Sequence, residues 1–549
     1  MKFKRVLHPV GQGAFITEDF SNEEEGYGST IVYDCGSISS KEILYREIDQ
    51  FKQEHTTFNV LFISHFDNDH INGLRRLLEK DLADNDFIES LIKVYSIDKS
   101  LLDTLIKKYL IMKYPKDNIA IDNSLVDEDL FKKYSIDKHL VESLIFKYCK
   151  NNHNWYLDYD SESGWDFVDD DDTFISEFLS ERNEYEKHRV VIVPFLYPHL
   201  IKILLPEMKT ELSEDTYDAL DALFKSRIKI IGIDNNDISS YPFGDNRPIY
   251  KDDLYKEDVR TIKSFTKIRV RESNKGKVCW NYMPYNTIND GRKERFLVEL
   301  FVALKGSPGK IGEWFSEKGG DKIESLSDIK KNTCFLEIQN FLMNSASELL
   351  TDEGTIDDFI NLLKRLYSNP SSCIRGVSVS AINVDSLNVL SFSDDALKDN
   401  SLKAYGECNF KLLGESSHPL SADKKMICTN AINWRGYDFS EQMRFYNYSC
   451  LYTGDCVMED HFFNRISNII QNVLDSPIGL LQIPHHGSKH NYNDRINFVP
   501  VFSSFVNFKE GTYTFADGIY SLAKVIPCFE ITLEEDSRFE QIVTWKNQK

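Results

Sequence analysis

The chain has no Cys-x-x-Cys pair. Its ten cysteines stand apart, at 35, 149, 279, 334, 373, 408, 428, 450, 456 and 528, a scatter that suits buried or idle thiols in a reducing compartment. It also lacks an uninterrupted apolar run of membrane-spanning length, so no transmembrane helix is expected. At the start, Met1-Lys-Phe-Lys-Arg5 leads into an alternating strand pattern instead of the apolar stretch of a secretory signal. These absences together predict a cytoplasmic protein. An excess of positive charge is missing too. Lys and Arg number 65 against 87 Asp and Glu, a formal net charge of −22. That argues against generic electrostatic capture of DNA or of a membrane surface. A local basic groove, or a bound metal supplying positive charge, stays compatible with it.

A chain of 549 residues exceeds one ordinary domain, which predicts either two domains or one domain with a large insertion. With 41% hydrophobic and 13% aromatic residues there is ample material for a packed core, and charges are mixed throughout.

The most informative stretch is Ile63-Ser-His-Phe-Asp-Asn-Asp-His-Ile-Asn-Gly73. An apolar run, Val60 to Ile63, leads in, and a helical pattern with Leu74, Leu77 and Leu78 leads out. This reads as a buried strand that stops abruptly. His65, Asp67, Asp69 and His70 crowd its carboxyl end. Carboxylates and neutral imidazoles this close stay unsatisfied unless a cation or a hydrogen-bond network pairs them. The plainer alternative is a strand-to-helix turn with Asp residues capping the helix.

Before this motif, residues 2–10, 14–17 and 29–33 read as strands and 41–53 as an amphipathic helix. Asp34-Cys-Gly36 closes the third strand, where Asp34 either caps the loop or serves as a ligand. From about residue 81 short helical segments alternate with charged loops, including the acidic run Asp169–Asp172. Within that block, 189–195 and 227–233 read as buried strands, flanked by His188 and His199. Residues 292–305 and 327–367 are helical by period, and 81–367 as a whole is expected to be an insertion domain, α-rich with some strands. A hairpin at 265–285 places Lys267, Arg269 and Arg271 on one arm and Trp280 and Tyr282 on the other. Basic side chains beside aromatic faces suit a nucleic-acid strand. An ordinary solvated hairpin with its aromatic face packed inward fits the same pattern. Strand texture returns at 373–382, and 383–445 is expected to be a loop-rich second insertion containing His418. Then Tyr446–Asp455 reads as a strand ending in an Asp, 460–474 as a helix, and 478–483 as a buried strand running into Pro484-His-His-Gly-Ser488. Further strands are expected at 499–506 and 525–532.

Three strand ends therefore carry polar clusters: His65/Asp67/Asp69/His70, Asp455, and His485/His486. In open α/β sheets, ligands collect at the carboxyl ends of strands, so one site assembled from all three is expected. In order and spacing these segments resemble the metallo-β-lactamase fold. Residues 65–70 match its central His-x-[His/Asp]-x-Asp-His motif. The similarity is strongest to the branch that includes the soluble hydrolase domain of the bacterial DNA-uptake channel, through Val10–Gly13, Asp34–Gly36, Ser64–His70, Thr453–Asp455 and Pro484–Ser488. The matched regions are about 1–80 and 370–510. Asp67 stands where a second His is frequent, Asn72 where a Gly is common, and Ala14 where the branch often has Asp. A third His between the central motif and the Thr-Gly-Asp strand is not identifiable by spacing, which leaves His418 or another insertion His as candidates.

The resemblance implies an α/β fold, the αββα sandwich, built from 1–80 and 368–549 around the 81–367 insertion. It implies two divalent ions, zinc or manganese, the oxygen-rich set favouring manganese or mixed occupancy. His65 and Asp67 would serve one ion, Asp69 and His70 the other, with Asp455 bridging. One of His485 and His486 would be a ligand, the first assignment being His485. Asp69, His486 and Ser488 would then take catalytic roles: orienting the nucleophile, protonating the leaving group and holding an oxyanion. The implied activity is that of a metal-dependent phosphodiesterase or nuclease. The same chemistry serves a carboxylic ester, lactone or amide. The insertion could instead be a protein-interaction module in a bacterial defence or mobile-element system.

Overall fold

The computed structural model describes residues 2–22, 27–55, 58–79, 158–160, 164–166, 189–194, 197–226, 228–234, 248–256, 259, 261–271, 278–286, 292–320, 333–344, 352–372, 386–393, 402–409, 425–427, 433–434, 437–438, 448–474, 477–488, 493–507 and 528–547. The chain forms two compact units. The larger comprises Met1–Arg76, Arg189–Asp221 and Ile228–Lys549. The smaller comprises Leu77–His188 and Ala222–Arg227 and includes a two-stranded antiparallel ladder of Asp158–Asp160 and Gly164–Asp166. The acidic run at 169–172, His188, the strand expected at 373–382, and His418 lie outside the described residues.

Two mixed sheets build the larger unit. The first has ten strands, in the order Thr261–Lys263, Lys229–Asp234, Val190–Val193, Val60–Phe62, Tyr27–Ser37, Gly13–Asn22, Lys2–Leu7, Phe539–Asn547, Leu402–Asn409 and Lys425–Ile427. The first five run parallel, and every later pairing is antiparallel. The second has eight, in the order Cys528–Ile531, Val501–Asn507, Ile478–Gln482, Cys450–Tyr452, Leu387–Ser393, Val278–Asn286, Ile268–Arg271 and Ile249–Tyr250. There the first four are parallel.

The sheets face one another across the main core. Phe3, Ile16, Tyr33, Phe62, Ile192 and Ile231 from the first meet Trp280, Tyr282, Val389, Tyr452, Leu480 and Phe505 from the second. Helices cover the outer faces. Lys41–Glu54 is capped by Ser40, whose side chain accepts from the Ile43 amide, and it buries Leu44, Ile48 and Phe51. Each such side chain is worth about 1.5–3 kcal/mol of burial. Asp460–Ile469 lays Phe462, Phe463, Ile466 and Ile469 against Leu390, Leu451 and Leu481 on the back of the second sheet. Because both faces are covered, a strand such as Cys450-Leu-Tyr452 is apolar throughout, its alternate residues entering different cores. The result is an α/β architecture in helix–sheet–sheet–helix layers. Among the described residues no helix is long and apolar enough to cross a membrane, and the six described free cysteines, 35, 279, 334, 450, 456 and 528, are all buried.

Three expectations are redrawn. The insertion expected at 81–367 closes earlier: Val190–Val193, Lys229–Asp234 and Thr261–Lys263 extend the parallel half of the first sheet, and Val278–Asn286 lies in the second. Their apolar residues find cover there that a separate domain would have to supply. The loop-rich stretch expected at 383–445 contains Leu387–Ser393, an interior strand paired on both sides, and Leu402–Asn409, which pairs with Phe539–Asn547. Finally, the aromatics of the 265–285 hairpin are core residues. Trp280 is fully buried, stacks on Phe3 with ring centroids 4.2 Å apart, and donates from Nε1 to Ser391 Oγ at 2.8 Å. Tyr282 donates its hydroxyl hydrogen to Glu18. Neither offers a face to a base. Arg269 stands opposite Asn281, while Lys267 and Arg271 lie over the rings of Phe392 and Tyr250 at 5.6 and 3.8 Å. The inward-packed reading of this hairpin is the one the fold adopts.

Candidate metal centre

The wholly buried strand Val60–Phe62 delivers the chain to Ser64, whose amide and hydroxyl both donate to Asp34, at 2.7 Å each. Asp34 itself has a left-handed backbone, φ +56°. Two residues on, a Cβ on Gly36 would fall 2.5 Å from the backbone of Asp69 and His70, so only glycine lets this strand pack onto the short helix Asn68–Ile71. Asp67 precedes that helix and makes no side-chain capping bond. Its carboxylate is left for other work, which sets the capping alternative aside.

The other segments arrive from the second sheet. After Cys450–Tyr452, the side chain of Gln482 accepts the amides of Thr453 and Gly454 at 2.8 and 3.1 Å, fixing the turn that presents Asp455. Beyond Ile478–Gln482, the His485 amide donates to the Gly454 carbonyl at 3.1 Å. His485, His486 and Gly487 are all left-handed, with φ of +50°, +52° and +75°. For each non-glycine residue that costs about 1–3 kcal/mol. The strained turn places adjacent imidazoles on either side of Asp455.

Two groups of ligand atoms result, each lying within 4.8 Å of one another: Asp69, His70, Asp455 and His486 in one, His65, Asp67 and Asp455 in the other. Asp455 belongs to both. Its Oδ1 is 3.3 Å from His70 Nε2 and 3.8 Å from His486 Nε2, and its Oδ2 is 3.6 Å from His65 Nε2. His65 Nε2 is also 3.6 Å from Asp67 Oδ2, and His486 Nε2 is 3.0 Å from Asp69 Oδ2.

The outward nitrogens are all engaged. His70 Nδ1 donates to Asp34 Oδ2 at 2.8 Å, His486 Nδ1 to the Asn507 carbonyl at 2.9 Å, and His65 Nδ1 to Ser64 Oγ at 2.9 Å. Such bonds fix the tautomer with Nε2 free to bind. Meanwhile, among the described residues, His65 Nε2, His70 Nε2 and Asp455 Oδ1 are buried without a hydrogen-bond partner. Orphaned polar atoms that converge are the mark of a cation site, and this cluster can hold a metal ion. Without a cation, protons take its place. Burial and the neighbouring His70 oppose charging His65, yet Asp455 and Asp67 outweigh them and hold it up at about 9. Burial likewise opposes Asp69, and His70 and His486 pull it down to about 2. Metal loading therefore displaces protons.

The sequence-derived candidates distribute as follows. His65, Asp67, Asp69, His70 and Asp455 come together. His486, assigned above to catalysis, sits in the four-residue group. His485, assigned there as the ligand, is a third exposed, with Nδ1 3.2 Å from Asp455 Oδ2. Of the two adjacent left-handed residues, His486 is the one grouped with the other candidate ligand atoms. Ser488 is buried, and its amide donates to the His485 carbonyl at 2.9 Å, so that N–H is unavailable to an oxyanion. Lys267, Arg269, Arg271, Trp280 and Tyr282 belong to a different part of the second sheet. His199 packs edge-on against Phe341, and burial lowers its pKa to about 4. Asp34, Ser64, Gln482 and Asn507 support the cluster. Of these, Asp34 and Ser64 lay within motifs that the sequence singles out, Asp34–Gly36 and Ser64–His70, whereas Gln482 and Asn507 carried no signal.

Asp34→Ala should remove the carboxylate acceptor of His70 Nδ1, leaving it only Ser64 Oγ at 3.2 Å. Metal affinity is expected to fall about 10–100-fold, the usual cost of losing a partner that orients a ligand. Competition with a chelating dye measures it, and unchanged affinity would remove Asp34 from the site.

Comparison of the chain with protein-family models, with curated proteins and with solved structures finds no match.

Proposed function

We propose that this chain is a metal-dependent hydrolase of the metallo-β-lactamase fold that cleaves phosphodiesters. The observation that carries the reading is the shared carboxylate of Asp455, one oxygen turned to each ligand group, with unpartnered imidazole nitrogens around it. The order of the site segments along the chain and the helix–sheet–sheet–helix layering support it.

In this reading His65 and Asp67 would hold one divalent ion and Asp69, His70 and His486 a second, with Asp455 a member of both ligand groups. The ions are zinc or manganese. A pair of divalent ions in such a site lowers the pKa of bound water and neutralises charge on a phosphoryl oxygen. The protein's own groups do the rest. Asp34, Ser64 and the Asn507 carbonyl fix the imidazoles. Asp69, its Oδ2 3.0 Å from His486 Nε2, would orient the nucleophilic water. His485 turns Nδ1 towards Asp455, which leaves Nε2 on the opposite side of the ring to protonate the leaving oxygen. The chain's formal charge of −22 disfavours long-range capture of a polyanion, so a nucleotide or a restricted nucleic-acid end fits better than non-specific duplex.

The test is a screen of bis-p-nitrophenyl phosphate, single- and double-stranded DNA, RNA and cyclic nucleotides, each with zinc or manganese. Turnover of at least one substrate is expected, abolished by a chelator and restored by metal. Failure on all of them, with metal bound, would remove phosphodiesters as the substrate class.

A further inference from the structure

Asn507 ends the strand Val501–Asn507, beside the metal centre, and it has a loose end. Its carbonyl accepts from His486 Nδ1 at 2.9 Å. The residue is 2% exposed, yet both amide atoms, Nδ2 and Oδ1, lack a hydrogen-bond partner among the described residues. Burying an unpaired carboxamide is costly, and in native proteins such groups need a reason. The pleat says where the amide points. Phe505 enters the core between the sheets, Val506 enters the outer cluster, and Asn507 returns to the side of Phe505. Asn507 also ends its strand at the carboxyl end of the parallel strands, the end that delivers Asp455 and His486. The neighbouring strand places Ile531 opposite Asn507, and the next residue, Thr532, takes the amide of Gly11 at 3.1 Å. The Gly11–Gly13 loop in turn approaches so closely that a Cβ on Gly13 would lie 2.8 Å from the Asp69 carbonyl. Backbone contacts thus link Asn507 to His486 directly and, through the Ile531–Thr532 strand end, to the loop beside Asp69.

We infer that the Asn507 side chain is a substrate-contacting residue of the metal centre, its Nδ2 donating to a phosphoryl oxygen of the bound substrate. The inference rests on the phosphodiesterase reading and extends it. A hydrated phosphoryl group satisfies both orphaned atoms, its oxygens accepting from Nδ2 and its water donating to Oδ1. A donor held in place before the reaction, in a dry setting, strengthens as charge develops on that oxygen. The support given to His486 comes from the backbone carbonyl and survives any side-chain replacement. The two contributions of this residue are therefore separable by mutation.

The experiment compares wild type with Asn507→Ala and with Asn507→Leu, which keeps the bulk of the side chain without its polar atoms. Metal content is measured first, then binding of inorganic phosphate to the zinc-loaded protein by calorimetry, then hydrolysis of bis-p-nitrophenyl phosphate. Both variants are expected to retain metal. They should bind phosphate at least about 10-fold more weakly and lose about 10²–10³-fold in kcat, as when one such donor is removed. Asn507→Leu should also melt at or above the wild-type temperature, because an unpaired amide has been replaced by an apolar group. Wild-type phosphate affinity and kcat in either variant would overturn the inference. So would loss of metal, which would make the amide a support for the ligands. A metal-loaded wild type that neither binds phosphate nor cleaves the ester would instead overturn the phosphodiesterase reading, and this inference with it.

Discussion

Asp455→Ala should strip the centre of its metal and abolish hydrolysis. Both carboxylate oxygens face imidazole nitrogens, Oδ1 towards His70 and His486 and Oδ2 towards His65. Truncation leaves one group with only His65 and Asp67, too few ligands for a stable site. The other keeps Asp69, His70 and His486 but loses the carboxylate that balanced its neighbours. Elemental analysis after dialysis should find up to two divalent ions per wild-type chain and less than one in the variant. Turnover should fall by at least about 10²–10³-fold, the scale of removing one preorganised charge-stabilising group. Stability provides a readout independent of substrate. At a metal concentration 100 times its dissociation constant, binding stabilises the folded chain by about 2.7 kcal/mol. Wild type should gain this on metal addition and the variant should not. A variant with the full wild-type complement of metal would refute the bridging role.

The second large effect lies away from the centre. Arg5 is fully buried between the sheets, its Nε 2.6 Å from Glu18 Oε1. It also donates to Tyr452, to the Tyr448 carbonyl, to Ser391 and to Gln541. Glu18 in turn accepts from Ser391 and from the hydroxyls of Tyr282 and Tyr452. Burial works against the Arg5 charge, and Glu18, with smaller contributions from its neighbours, more than offsets it. Glu18→Ala leaves that charge unpaired inside the protein. The expected loss is about 3–5 kcal/mol, measured by urea denaturation. Arg5→Met combined with Glu18→Leu should recover most of it, because apolar replacement of an entire buried pair is often close to neutral. A loss below about 1 kcal/mol for Glu18→Ala would place the network in the range of surface pairs.

How much of this was legible in the sequence varies element by element, for physical reasons. The motif at 63–73 announces itself because an apolar strand ends in four ligand-type residues, and the same logic finds Asp455 and the His485/His486 pair. Local pattern also identifies 189–195 and 227–233 as buried strands. It does not say which sheet they join, since that depends on partners far away in the chain. Leu387–Ser393 was obscured by Asp and Ser on either side and by apolar residues on both of its faces, which erases the alternation of a half-exposed strand. Trp280 and Tyr282 share one face by period, but period cannot tell whether that face meets solvent or another sheet. The choice between His485 and His486 turns on two consecutive positive φ angles, and no spacing rule encodes those. Asp34 resembles a loop cap because Asp-x-Gly commonly is one.

The pairing of Lys2–Leu7 with Phe539–Asn547 bears on how the protein is made. Lys2 lies opposite Thr544, and Leu7 opposite Phe539. At the usual pace of synthesis, about 5–20 residues per second, the segment that supplies this partner emerges roughly half a minute to two minutes after the first strand. Throughout that interval Lys2–Leu7 can pair with Gly13–Asn22 on one edge, while its other edge presents open backbone groups to any passing strand. Contacts so distant in sequence also form slowly once both segments exist, because closing the loop precedes any reward from packing. Completion of the first sheet therefore waits for residues 539–547, and nascent chains stalled before them carry the open edge of Lys2–Leu7 to aggregation or chaperone capture.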